Sequence, residues 1–220
     1  LYLYLGKNLN MRKNLLLVFL LSFSVSVFAQ HDLPQRTVLN ENLAPFYHGV
    51  ASGDATSEKV IIWTRITTDQ PSANVTWRIA TDSLFTNTVE QGVFVTDATR
   101  DYTVKVDLKD LEENTWYFYE FEDEQGRRSK RGRTKTLPTS DVNNFRAALV
   151  SCAKYSEGYF NVYDRISERN DIDAIIHLGD YIYESGLSEE GQKINRIHDP
   201  ENSLVTLTDY RTRYSQFHLD

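Results

Sequence analysis

The sequence predicts two architectures in series: an antiparallel β-sandwich over residues 30–140, then the start of a parallel α/β domain over residues 141–220. Three observations carry this. Between Phe46 and about Thr136, short segments alternate apolar and polar residues, separated by Gly, Asp, Asn and Pro; alternation of period two marks strands with one buried face, and several in close succession suggest a sandwich. After residue 141 the pattern changes to two continuous apolar runs flanking a stretch of helical spacing, which reads as a βαβ unit. Both runs stop at chemically distinctive residues, Ser151-Cys152 and Gly179-Asp180-Tyr181-Ile182-Tyr183-Glu184.

At the N-terminus, residues 1–10 precede the only methionine, Met11, and read as upstream sequence translated in error. Arg12 and Lys13, the apolar stretch from Leu15 to Phe23 and the small-residue approach to Val27-Phe28-Ala29 then predict a secretory signal peptide over 11–29, cut after Ala29. The apolar stretch is short for a membrane span, so no transmembrane segment is expected after cleavage. The signal has no Arg-Arg pair and no cysteine follows the cut, which favours the general export route without a lipid anchor. The expected location is periplasmic, cell-surface or extracellular.

In the sandwich region, Lys59–Thr64 is a short β-branched run. Asn74–Ala80 alternates with Val75, Trp77 and Ile79 on one face, and Tyr102–Leu108 alternates as well. Trp116–Phe121 is apolar on both faces. These aromatics read as core and are given no chemistry. The basic run Arg127, Arg128, Lys130, Arg131, Arg133 and Lys135 reads as an exposed edge strand protected by charge, in preference to a phosphate- or membrane-binding surface. Leu137–Asp141 is the linker, marked by proline and small polar residues.

In the second region, Phe145–Val150 and Asp173–Leu178 read as strands buried on both faces, and Gly158–Asn170 as the helix between them. Ligands of open α/β sheets gather at the carboxyl ends of strands, which is where Cys152 and Asp180 fall. Tyr183, three residues beyond Asp180, can swing back to the same point. A thiolate, a carboxylate and a phenolate together suit a hard trivalent metal, which would lower the pKa values of its donors. Each residue alone has a plainer reading: a buried cysteine is a small hydrophobe, Gly-Asp is a turn, and tyrosines are core. Cys152 has no partner for an intramolecular disulfide, although an exported protein meets an oxidising environment. His177 reads as a hydrogen-bonded core residue rather than a ligand. Asn195, Arg196, His198 and Asp199 read as a solvated loop, with contact to substrate or metal as the alternative. Glu184 is open between supporting the site and bracing the turn.

Ser151-Cys152 followed by His177-Leu178-Gly179-Asp180-Tyr181-Ile182-Tyr183-Glu184 resembles the signature of the PhoD-type alkaline phosphatases. Phe46–Asp54, Val60–Arg65, Asp101–Val106 and Asp209–Tyr214 are also similar to segments of that family. The resemblance implies a fibronectin type III-like sandwich followed by a calcineurin-like metallophosphoesterase domain. It implies ferric iron (Fe3+) bound by Cys152, Asp180 and Tyr183, with Asp180 also contacting calcium (Ca2+). The implied reaction is hydrolysis of phosphate monoesters, with diesters as a further class, through a metal-activated oxide or hydroxide. No catalytic or substrate-binding side chain is assigned.

The sequence ends at Asp220 without a Trp-Asp-Asp-His-Glu-like segment or the further Asn, Asp and His ligands that the resemblance implies. The expectation is therefore an N-terminal fragment, inactive as it stands, with an exposed apolar edge on its βαβ unit. A net charge of -7 at pH 7 argues against a nucleic-acid partner. The partner expected is a phosphate ester; oligomeric state is not legible. Two alternatives remain: a non-catalytic secreted β-sandwich binding module, and a phosphodiesterase or phospholipase of the same fold.

Overall fold

A computed structural model describes residues 40–220, which lie within one contact unit, Arg36–Asp220. The expected signal peptide, its cleavage point and the upstream residues lie outside the described residues. Among the described residues, no helix is long and apolar enough to cross a membrane.

Seven strands form the sandwich: β1 (Val50–Gly53), β2 (Val60–Arg65), β3 (Ser72–Ala80), β4 (Thr88–Asp97), β5 (Thr103–Leu108), β6 (Trp116–Glu122) and β7 (Gly132–Lys135). One sheet runs β1-β2-β5 and the other β4-β3-β6-β7, and every neighbouring pair is antiparallel. The alternation predicts a sandwich, and this three-plus-four arrangement is the fibronectin type III-like one that the resemblance implies. The inner faces supply the core. Val75, Ile79, Val60, Val104 and Phe121 are fully buried, and Trp77, Tyr117 and Tyr119 nearly so. Trp77 and Tyr119 each lie across a glycine on the neighbouring strand. A Cβ on Gly92 would stand 2.7 Å from the Trp77 ring, and one on Gly132 would stand 2.1 Å from Tyr119. These two positions have room for a hydrogen and nothing larger.

Two strands escape the sequence reading. β1 is short and, beyond Val50, exposed. β4 is the longest strand, yet it lies at a sheet edge with Val89, Val93 and Val95 facing solvent, so its alternation does not separate inside from outside. The end of the basic run forms an edge strand, β7, and four of the run's six side chains, Arg127, Arg128, Arg133 and Lys135, are hydrogen-bonded. Arg127 bonds Asp123 and Arg128 bonds Glu122. Arg133 and Lys135 reach out of the sandwich, the first to Asn170 Oδ1 (2.6 Å) and the carbonyl of Arg169 (2.7 Å), the second to Asp173 (2.7 Å).

Beyond the sandwich, β8 (Ala147–Val150) pairs in parallel with β9 (Ala174–His177), and α1 (Asn161–Ser167) crosses between them. Two further helices follow, α2 (Glu189–Lys193) and α3 (Leu207–Gln216). The expectation that β8 and β9 are buried on both faces is overturned: Leu149 is 63% exposed, Ile175 59% and Leu178 67%. Their apolar runs are those of a doubly covered parallel sheet, but among the described residues the pair has too few layers around it to cover them.

α3 begins at a capping box. The Thr206 hydroxyl accepts from the Asp209 amide, and the Asp209 carboxylate accepts from the Thr206 amide. The first residue of the Asp209–Tyr214 motif is therefore the third residue of the helix, closing its capping box. The helix also meets the sandwich. Arg211 reaches Asp101, which holds Arg65 as well (2.9 Å), and Tyr214 stacks on His48 with centroids 5.8 Å apart.

His48 is 4% exposed, and neither of its ring nitrogens has a partner. Burial, then the neighbouring Arg65 charge, with a smaller effect from His218, push its pKa down to about 3, against a weaker opposing pull from Asp101. Burial likewise pushes His218 down to about 4, helped by Lys130. Both rings are thus neutral in the folded state, while the unfolded chain takes up protons below about 6.5. The unfolded state then binds more protons, so stability falls as pH drops from about 6.5 toward 4 and is flat above. The loss is expected to be on the order of a few kcal/mol at pH 4. Thermal melts between pH 8 and pH 4 check this: His48→Phe should flatten the slope, and an unchanged slope would count against the neutral, buried imidazole.

Candidate metal centre

The parallel ladder brings the three chemical residues together. Its bonding continues past the strand ends: Leu178 N donates to Val150 O (2.8 Å), Cys152 N to Gly179 O (3.1 Å) and Ala153 N to Asp180 O (3.0 Å). The two post-strand segments therefore run side by side with Cys152 beside Asp180. Both residues are left-handed, with φ of 62° and 55°, and Gly179 has φ of 120°. Left-handed backbone at non-glycine residues is costly and clusters at functional sites. Here it turns both side chains out of the ladder toward one point.

At that point Cys152 Sγ lies 3.7 Å from Asp180 Oδ2, and the Tyr183 hydroxyl donates to the same oxygen at 3.2 Å. Cys152 and Asp180 are exposed and Tyr183 is half-buried. The phenol's hydrogen bonding with Cys152, followed by desolvation and the bond to Asp180, raises the Tyr183 pKa. A cation at the meeting point would reverse that sign by favouring the deprotonated donors. Thiol, carboxylate and phenol share protons where a cation would take their place, so the donor set fits a Lewis-acidic metal ion. Among the described residues no group of three or more His, Cys, Asp or Glu converges; the tyrosine is what makes this a trio. For calcium, which takes 6–8 oxygens, this trio supplies one carboxylate.

Neighbouring groups brace the turn. His177 Nδ1 accepts from Gly179 N at 3.2 Å, and its Nε2 faces the Tyr163 hydroxyl at 3.2 Å. An accepting Nδ1 makes Nε2 the protonated nitrogen of the neutral ring. His177 is thus hydrogen-bonded, as expected, but half-exposed rather than core. The Glu184 side chain is exposed, and its carbonyl accepts from Leu204 N. A cleft of about 340 Å³ runs along Cys152, Lys154 and Tyr163. The Lys154 ammonium stands 5.7 Å from the Tyr183 ring centroid and pairs with Glu157.

The solvated-loop reading holds for the exposed Asn195 and is corrected for Arg196 and His198. Arg196 is 5% exposed, held by both oxygens of Asp220 at 2.8 Å and lying 3.8 Å from the Tyr155 ring centroid. His198 is 1% exposed, with Nδ1 facing Ser185 O. Burial raises the Asp199 pKa. Polar composition hid a partly packed loop in which Arg196 is paired with Asp220. Sequence reasoning also passed over Arg213, which is fully buried beneath the turn. The only signal for it was its place in the Asp209–Tyr214 motif.

Residues 33–138 match the family described as "PhoD-like phosphatase, N-terminal domain", and residues 147–220 match "PhoD-like phosphatase". The chain belongs to the PhoD-like phosphatase family. It is 33% identical over 208 residues to "Alkaline phosphatase D" of Bacillus subtilis (strain 168), covering 90% of this chain and 34% of that protein. A solved structure described as "Structure of PhoD" superposes with a TM-score of 0.69 at 35% identity, covering 79% of this chain and 35% of that one. This PhoD-like chain thus spans about a third of the length of the relatives it matches.

Proposed function

We propose that this chain supplies the sandwich and the first metal donors of an exported, metal-dependent phosphoesterase of the alkaline phosphatase D type. The observation that carries the reading is the meeting of Cys152, Asp180 and Tyr183 at the ends of β8 and β9. Fe3+ is assigned to the thiolate and phenolate side, because anionic sulfur and oxygen donors stabilise the ferric state. Asp180 would also be the residue to hold Ca2+, which would need further oxygen ligands. Metal bound there supplies Lewis-acid activation of water and charge neutralisation on the phosphoryl group.

The chain's own residues do the rest. Asp180, in contact with both other donors, fixes the spacing of the set. The His177–Gly179 bond holds the turn that presents it. The Lys154 ammonium lies on the same cleft as Cys152 and would attract the phosphate dianion of a monoester on leaving Glu157. Monoesters are the first substrate class and diesters the second. Export rests on the charged, apolar and small-residue succession over residues 11–29. A polypeptide confined to these 220 residues is proposed to be inactive, since its three donors are half-exposed or exposed and its parallel strands uncovered.

The test is spectroscopic. The gene product carrying this chain, loaded with iron, should show a visible phenolate-to-ferric band. Tyr183→Phe should abolish most of that band while leaving the protein folded, with activity down about tenfold or more, equivalent to about 1.4 kcal/mol or more in the barrier. A band that survives Tyr183→Phe unchanged removes this tyrosine from the ligand set.

A further inference from the structure

Arg213 heads the fully buried side chains, at 0% exposed. That is an uncommon place for a permanently charged group. Taking a guanidinium out of water is costly unless its donors are satisfied. Among the described residues no carboxylate forms a salt bridge with it. Its partners are main-chain carbonyls instead. Nη1 donates to Tyr183 O at 2.6 Å and to Ser185 O at 3.1 Å. Nη2 donates to Pro200 O at 2.7 Å and Nε to Asp199 O at 3.3 Å. Two of these carbonyls belong to the segment leaving the metal turn, and two to the loop before α3. One rigid fork therefore joins three pieces of chain, and charge-assisted bonds of this kind are about twice as strong as neutral ones. The helix that carries Arg213 is itself fastened to the sandwich through Arg211–Asp101 and Tyr214–His48.

We propose that Arg213 is a positioning residue for Tyr183: holding the carbonyls of Tyr183 and Ser185 against α3, it sets the phenol where it meets Asp180 and Cys152. This rests on the metal-centre reading of those three residues. It also gives the sandwich a role in the chemistry, because α3 is the bracket between the two parts. Lysine cannot replace the fork, since a single ammonium has no planar pair of donors with which to span carbonyls from two segments.

The experiment compares the wild-type gene product with Arg213→Lys, which keeps the charge, and with Ser215→Ala. Ser215 is buried on the same helix and bonds only Thr212 O among the described residues, at 2.8 Å. Two quantities are read: backbone amide exchange over Tyr181–Ser185 in chelator-treated protein, and affinity for added ferric iron. Circular dichroism confirms folding. Arg213→Lys is expected to speed exchange in the turn at least tenfold and weaken iron binding at least tenfold, while Ser215→Ala changes neither. If Arg213→Lys does not fold, Arg213→Gln, which keeps a donor without the buried charge, takes its place. Unchanged turn exchange in a folded variant overturns the proposal. The two readings fail separately: a wild type that binds no iron while its turn still loosens in Arg213→Lys refutes the metal reading and keeps the clamp. Iron binding that is indifferent to Arg213→Lys refutes the positioning role alone.

Discussion

Asp180→Ala is expected to remove metal and turnover together. Asp180 accepts from the Tyr183 hydroxyl at 3.2 Å and lies 3.7 Å from Cys152 Sγ. Its loss leaves a thiol and a phenol without the carboxylate between them. Metal stabilisation of a phosphoryl transition state is worth several kcal/mol, so the rate should fall by about a thousandfold or more. The fold should survive. The side chain is exposed, and the turn is held through main-chain bonds, such as Ala153 N to Asp180 O at 3.0 Å. Metal analysis and phosphatase assay on the gene product check both halves. Asp180→Asn should keep the shape, lose the charge and fall between the two. Substantial turnover in a metal-depleted Asp180→Ala protein would refute the bridging role.

Phe121→Ala should cost the sandwich about 3–5 kcal/mol, the usual range for deleting a buried phenyl ring. Phe121 is 0% exposed on the inner face of β6, opposite Trp77 in register and edge-on to Tyr119 at 6.2 Å between centroids. The cavity opens between two aromatic rings that have no room to collapse, because Tyr119 is already seated over Gly132. Domains are stable by only about 5–15 kcal/mol, so this loss takes a large part of the total. All three tryptophans of the chain, Trp63, Trp77 and Trp116, sit on sandwich strands, so their fluorescence in urea follows this unfolding directly. Val93→Thr, at a site 63% exposed on β4, should change stability by no more than about 0.5 kcal/mol. Equal effects from the two substitutions would contradict the assignment of the core.

The legible parts of the sequence were those where one physical demand dominates. Val75, Trp77 and Ile79 alternate because one face of β3 is core and the other is wet. β4 is longer but was missed, because an edge strand with valines on its open face carries no such contrast. In the second region, the apolar runs of β8 and β9 revealed their strand character and parallel pairing, but not their exposure. A run of Leu, Val and Ile records what a strand is built to lie against, and the described residues do not include that cover. Cys152, Asp180 and Tyr183 could be singled out because their residue types are odd for strand ends. Their convergence depends on left-handed backbone at Cys152 and Asp180, which composition does not reveal. Arg196, His198 and Arg213 were the reverse case. Such residues in a polar stretch look solvated, yet Arg196 is satisfied by Asp220 and Arg213 by main-chain carbonyls, and His198 is buried with Nδ1 facing Ser185 O.

The central claim, that Cys152 stands with Asp180 and Tyr183 on a bound metal, is tested most directly by iron-edge X-ray absorption on the iron-loaded gene product and its Cys152→Ser variant. The account predicts one sulfur scatterer in the first shell of the wild type, lost in Cys152→Ser while iron remains detectable at reduced occupancy. A first shell of light atoms only, identical in both proteins, would contradict it.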